Sequence, residues 1–139
     1  SAAERIEMRR SKSIIEKPWG HEELWAQANR YVGKILFIKK GHRLSRQYHQ
    51  VKEETIMVLD GKMILEEGPY NQGEEIERHA LEVGDVFHVF PGTIHRFCAE
   101  ESDVRLVEVS TTEIDDVVRL EDDYRRVTDI PEALPNSEK

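Results

Sequence analysis

The chain has 139 residues, enough for one domain with a sizeable core and too few for a comfortable two. With 38% hydrophobic and 35% charged residues it has the composition of a globular protein, and no apolar run approaches the roughly 18 residues of a membrane span. Twenty basic against 28 acidic residues, a net charge of -8, argue against nonspecific nucleic-acid binding, and the single cysteine, Cys98, excludes an intrachain disulfide and a thiolate zinc cluster.

In chain order, the opening SAAERIEMRRSKS lacks the apolar stretch of a secretory signal, so a cytoplasmic location is expected. Residues 1–15 read as an N-terminal arm. Short β-rich runs then alternate with turn signals at 22–26, 31–39, 44–49, 55–59, 62–67, 77–81, 86–90, 95–99 and 104–110. Asp60-Gly61 predicts a two-residue hairpin, residues 68–75 an exposed loop, and Val83-Gly84-Asp85 and Phe90-Pro91-Gly92 further breaks. Trp19 and Trp25 are expected to cover one end of the structure. Nine short strands with little between them predict an all-β antiparallel barrel or sandwich. Ile114, Val117 and Val118 have helical spacing, with Asp115 and Asp116 early and Arg125 and Arg126 late, which predicts a short helix. Residues 127–139, polar and with two prolines, are expected to form a frayed tail.

The chemistry concentrates in GHRLSRQYHQVKEETIMVLDG, residues 41–61. Gln47 and His49 project to one face of a strand while Arg46 and Tyr48 project to the other. The polar run 50–53 predicts a turn, and a hairpin would return Glu54 opposite Gln47 and His49. His95 follows Pro91-Gly92 at the mouth of a later strand, where a barrel aims it at the same centre. Gln47, His49, Glu54 and His95 are therefore candidate metal ligands; the other reading is a polar pocket without an ion. His88 alternates in phase with Val86 and Phe90 and is a candidate to line the barrel, or else a satisfied core histidine.

The intervals Gly41, Gln47, His49, Glu54, Gly61 resemble the first cupin motif, with glutamine in the slot usually held by its first histidine. Gly84-Asp85 and Gly92 to His95 resemble the second, although Phe90 stands where its proline usually stands and Ala99 replaces its asparagine. The Gln-x-His pairing is similar to that of phosphomannose isomerases. Lys17-Pro18-Trp19-Gly20, Leu44-Ser45-x-Gln47 and the run Asp115 to Tyr124 resemble the cupin domain of bifunctional mannose-6-phosphate isomerase/mannose-1-phosphate guanylyltransferases, over 16–126. The resemblance implies a single cupin domain there, a double-stranded β-helix or jelly-roll barrel. No nucleotidyltransferase domain fits in 139 residues, so only the isomerase half is expected. Where those enzymes have a run of histidines and an arginine, this chain reads His49-Gln50-Val51-Lys52.

The implied function is metal-dependent isomerisation of a sugar phosphate, mannose 6-phosphate to fructose 6-phosphate, through a cis-enediolate. One carboxylate with neutral N and O donors leaves a divalent ion net positive, suited to polarising a carbonyl. Zinc is the expected ion, with Co, Mn, Ni or Fe also compatible with mixed N and O ligands. Lys52 and Arg96 are the catalytic candidates, and Arg43, Lys52, His88 and Arg96 the substrate-binding ones, since arginine's fork fits phosphate oxygens. Two other readings are a non-haem iron dioxygenase, using His49, His95 and Glu54 alone, and a noncatalytic sugar- or metabolite-binding cupin, favoured by Val51 and the missing histidine run. The expected partners are a small sugar phosphate and a second copy in a homodimer, because open sheet edges need covering.

Overall fold

The computed structural model describes residues 8–69 and 75–128. In chain order the strands are β1 Ser13–Lys17, β2 Gly20–Gln27, β3 Val32–Ile38, β4 His42–Arg43, β5 Arg46–Tyr48, β6 Glu54–Asp60, β7 Met63–Pro69, β8 Glu77–Leu81, β9 Val86–Val89, β10 Thr93–Ala99, β11 Val104–Ser110 and β12 Val118–Glu121. They form two antiparallel sheets, β1-β2-β3-β11-β6-β9 and β12-β5-β10-β7-β8, with β4 added to β10. Each of the nine runs expected from alternation overlaps a strand; β1, β4 and β12 were not anticipated. Residues 1–7 of the arm, and most of the 68–75 loop (70–74) and of the tail (129–139), lie outside the described residues.

Two local expectations are corrected by the long-range pairing. Asp60-Gly61 makes a turn, with Gly61 at φ 82° and the Asp103 carbonyl oxygen pressed against the place a Cβ would take, but it does not close a hairpin. The strands it joins lie in different sheets: β6 pairs with β11 and β9, and β7 with β10 and β8. Nor is there a helix among the described residues at 114–126, where β12 pairs with β5 and Val118, opposite Tyr48, is 4% exposed. Burying that valine in the sheet outweighs a helical spacing of three apolar residues, because helices this short draw their stability from packing.

The barrel interior divides along its length. Strand alternation turns Leu36 and Ile38, Ile56 and Val58, Val104 and Leu106, and Met63 and Leu65 into one apolar cluster with Phe97, Ala99 and Trp19. The same inward phase continues into charged residues at the other end: Lys34 on β3 and Glu108 on β11 are register partners, and Glu54 on β6 pairs with Ser110. All three are buried. One end is a plug and the other a polar cavity. Trp19 joins the plug, whereas Trp25 is 48% exposed with its ring against Gly33, so only one tryptophan covers the interior. Cys98 is buried, and burial pushes its thiol up to about 11, which makes it an inert core residue.

Candidate metal centre

Both sheets contribute to the site. Gln47 lies on β5 and is the register partner of His95 on β10, so the two stand on one face of one sheet. His49 follows β5 directly, and its carbonyl accepts the Gly92 N–H at 2.8 Å. Glu54 opens β6 in the opposite sheet and reaches them across the barrel rather than by a hairpin return. Glu54 Oε1 lies 3.4 Å from His49 Nε2 and 3.3 Å from His95 Nε2, and one ligand atom from each residue falls within 4.8 Å of the others.

The hydrogen bonds around these rings decide which nitrogen faces inward. His49 Nδ1–H donates to the Asp116 carbonyl at 2.5 Å and His95 Nδ1–H to the Thr93 carbonyl at 2.9 Å. Each Nε2 is left as a lone pair facing the glutamate, the arrangement by which metal-binding histidines are oriented. Asp116 also ties down the loop behind His49: its carboxylate accepts the backbone N–H groups of Gln50 (3.0 Å), Val51 (2.7 Å) and Lys52 (2.8 Å). The Gln47 amide nitrogen donates to Ser45 Oγ at 2.8 Å, which leaves its oxygen as the spare donor atom.

The donor set fits a divalent ion on two observations. His49 Nε2 is buried without a hydrogen-bond partner, a costly state that an ion would relieve. Metal–ligand bonds of about 2.1 Å separate neighbouring ligand atoms by roughly 3.0 Å at an octahedral and roughly 3.4 Å at a tetrahedral ion, and the separations of 3.3 and 3.4 Å found here fall in that span. Charge states agree. Burial lowers the pKa of His49 against the opposing pull of Glu54, favouring the neutral imidazole that binds metal. Burial would raise Glu54, but the imidazoles whenever they carry an Nε2 proton, and the Lys52 ammonium throughout, hold it well below the usual carboxylate range.

Lys52 is buried with its ammonium 3.2 Å from Glu54 Oε2 and 3.1 Å from Glu108 Oε2. Burial acts to lower its pKa, and the two carboxylates more than reverse this, so it remains an ammonium. An ammonium at neutral pH has no lone pair, so this catalytic candidate cannot serve as a general base. Glu108 takes the opposite course: burial and the negative charge of Glu54 push it up to about 7.

These groups open into a cavity of about 440 Å³, within the size range of small-molecule sites. Trp19, Leu36 and Phe97 supply apolar wall, and Lys17, Lys34, Lys52, Arg119 and Arg126 line it together with Glu22, Glu54, Glu108 and Asp115. Gln47, His49, Glu54, His95 and Lys52 are brought together as expected; Arg43, His88 and Arg96 are not. Arg43 grips Asp123 with two hydrogen bonds of 2.8 and 2.9 Å. Arg96 falls between His95 and Phe97 in the alternation and so faces away; it is 1% exposed and donates to the carbonyls of Leu44 and Glu121. His88 shares its phase with Val86 and Phe90, but both are about 60% exposed, so that phase is the outer one. Its ring contacts Thr55 and Glu53.

Two of the cavity residues outside the expected set carried a readable signal. Lys34 and Glu108 occupy inward positions of otherwise apolar strands, VGKILFI and VRLVEVS, where a solvated residue is out of place. Lys17 and Arg119 had none, because they lie on β1 and β12.

The Cupin_2 family, described as Cupin domain, matches residues 35–110. No curated protein sequence gives a significant match. Among solved structures, the capsular polysaccharide assembling protein CapF from Staphylococcus aureus superposes with a TM-score of 0.72 at 16% identity, over 87% of this chain and 34% of that one. KdgF from Halomonas sp. gives 0.62 at 19%, over 76% and 91%. Vicilin from tomato, Solanum lycopersicum, gives 0.64 at 21%, over 80% and 32%. The chain thus spans about a third of CapF, and at these identities the likeness shows the fold alone.

Proposed function

Because this chain belongs to the cupin domain family, and because His49, Glu54 and His95 converge inside its barrel, we propose that it is a metal-dependent isomerase interconverting mannose 6-phosphate and fructose 6-phosphate. The observation that carries this reading is a His/Glu/His donor set, with Gln47 beside it, in a cavity where cations outnumber carboxylates by one. That balance suits an anionic sugar. His49 Nε2, His95 Nε2, Glu54 Oε1 and the Gln47 amide oxygen would hold a divalent ion, which when bound would supply Lewis acidity toward a sugar carbonyl and its neighbouring hydroxyl.

The chain's own groups do the rest. The carbonyls of Asp116 and Thr93 keep both imidazoles in the ligating tautomer. Lys52 pairs with Glu54 Oε2, leaving Oε1 directed at the histidines, and is a positioning residue. Glu108, a cavity carboxylate with a pKa near neutrality, takes the proton from C2 of the aldose and returns it to C1, while the O2 hydroxyl proton passes to the adjacent O1. Trp19, Leu36 and Phe97 keep water from the apolar side of the sugar chain.

The test is a coupled assay for fructose 6-phosphate formed from mannose 6-phosphate, on metal-analysed protein with a His49→Ala control. Turnover lost on chelation and in the variant is the expected result; no turnover in fully metallated protein sinks the substrate assignment. His49, His95 and Glu54 also match the two-histidine, one-carboxylate set of non-haem iron oxygenases. Oxygen consumption by the ferrous protein without isomerisation would move the assignment there, and sugar phosphate binding without either reaction would leave a noncatalytic cupin.

A further inference from the structure

Arg119, Gln47 and His95 form one row across β12, β5 and β10, since Arg119 and His95 are each the register partner of Gln47. Neighbouring strands lie about 4.8 Å apart, so the Arg119 backbone is roughly 10 Å from that of His95. Both side chains line the cavity, with Gln47 between them. Most of the other cations there are answered by a carboxylate: Lys34 by Glu22 at 3.2 Å, Lys52 by Glu54 and Glu108, and Arg126 by Asp122 at 2.8 Å. Arg119 forms no ion pair among the described residues, and its Nε is buried without a hydrogen-bond partner. Asp115 lines the cavity as well but is exposed. The strand position of Arg119 is secured by its backbone, through the pairing with β5 and through Thr128: the Arg119 N–H donates to Thr128 Oγ1 at 3.2 Å and the Arg119 carbonyl accepts the Thr128 N–H at 2.9 Å.

A guanidinium stays charged even when burial lowers its pKa, as it does here with Arg126 adding to the effect. Holding such a charge partly desolvated and unpaired is unfavourable, and an oxyanion from outside the chain would satisfy it. We infer that Arg119 anchors the terminal oxyanion of the ligand whose other end reaches His49, Glu54 and His95. The ligand is then an open-chain sugar long enough to run past Gln47. Its identification as a sugar phosphate rests on the isomerase reading; the anchor itself does not.

The experiment is titration of inorganic phosphate, and separately acetate, into the full chain in metal-free and zinc-loaded forms. Wild type is compared with Arg119→Ala, Arg119→Lys and Arg43→Ala, with circular dichroism and zinc content as controls for folding and for the metal site. A charge-assisted contact of this kind predicts phosphate affinity weakened about tenfold or more in Arg119→Ala. Arg119→Lys restores part of it, Arg43→Ala leaves it unchanged, and zinc content is the same throughout. Failure of wild type to bind either anion, or wild-type affinity in Arg119→Ala, overturns the inference. Acetate bound more tightly than phosphate, with the same dependence on Arg119, keeps the anchor and makes the ligand a sugar acid. Phosphate binding through Arg119 without isomerisation sinks the isomerase and leaves the anchor standing; isomerisation with anion binding indifferent to Arg119 does the reverse.

Discussion

Replacing Lys52 by methionine separates a clamp from a base. The side chain is 7% exposed, and its ammonium lies 3.2 Å from one buried carboxylate and 3.1 Å from another. At an effective dielectric of about 20, each contact has a Coulomb energy of roughly 5 kcal/mol before the cost of desolvating the charges. Removing one partner of such a buried group costs about 3–5 kcal/mol, because the remaining charge is left uncompensated. Here Glu108 can relax by taking a proton, so Lys52→Met should sit near the lower end, about 3 kcal/mol, in urea unfolding of metal-free protein at pH 7. Adding Glu108→Gln should recover more than half of the loss, since Glu54 is then the only carboxylate of the three groups. The pH dependence follows in sign. A raised Glu108 means the folded state holds more protons than the unfolded one between about pH 4.3 and 7, so its contribution to stability falls as pH rises across that window. Lys52→Met should steepen that fall and Glu108→Gln should remove it. A Lys52→Met protein within about 0.5 kcal/mol of wild type, or a double variant no better than the single, would refute the clamp. Unchanged stability with turnover abolished would return Lys52 to the role of base.

Three further outcomes are expected. Asp116→Ala, which removes the acceptor of three loop N–H groups behind His49, should weaken zinc binding about 10- to 100-fold in a chelator competition, and unchanged affinity would dismiss the loop's role. Zinc at about 100 times its dissociation constant should stabilise wild type by about 2.7 kcal/mol, read as a rise in melting temperature that EDTA abolishes and that His95→Ala does not show. Glu66, buried on the other face of the second sheet, would be raised by burial, but Arg46, Arg96 and Arg78 hold its carboxyl below the ordinary range. Its contribution is therefore complete above about pH 4.3 and is lost as pH falls through its lower folded value, so wild type and Glu66→Gln should converge in acid unfolding curves. Curves that stay parallel down to acid pH would show that Glu66 is not linked to stability.

Residue alternation and motif spacing make much of this protein legible along the chain itself. Glu77–Leu81 and Val104–Ser110 have the limits read from their apolar rhythm, and the intervals joining Gln47, His49, Glu54 and His95 marked the residues that meet in the cavity. Both signals are local: a strand shows its two faces in its own side chains, and a ligand set constrained by two tight turns keeps its spacing. What depended on partners distant in the chain was not legible. Asp60-Gly61 has the chemistry of a hairpin turn, yet the pairing of β6 with β11, some 50 residues on, sends the next strand to the other sheet. Ile114, Val117 and Val118 read as a helix until Tyr48 offers Val118 a buried place opposite it. Arg96 and Arg119 are indistinguishable as single arginines within short strand-like runs; strand register turns one away from the cavity and the other into it. The sequence by itself determined nine of the twelve described strands and the candidate donors, because alternation and motif spacing are written along the chain. Only the tertiary structure decided which charges share the cavity, because that depends on how each strand is registered against a partner remote in sequence.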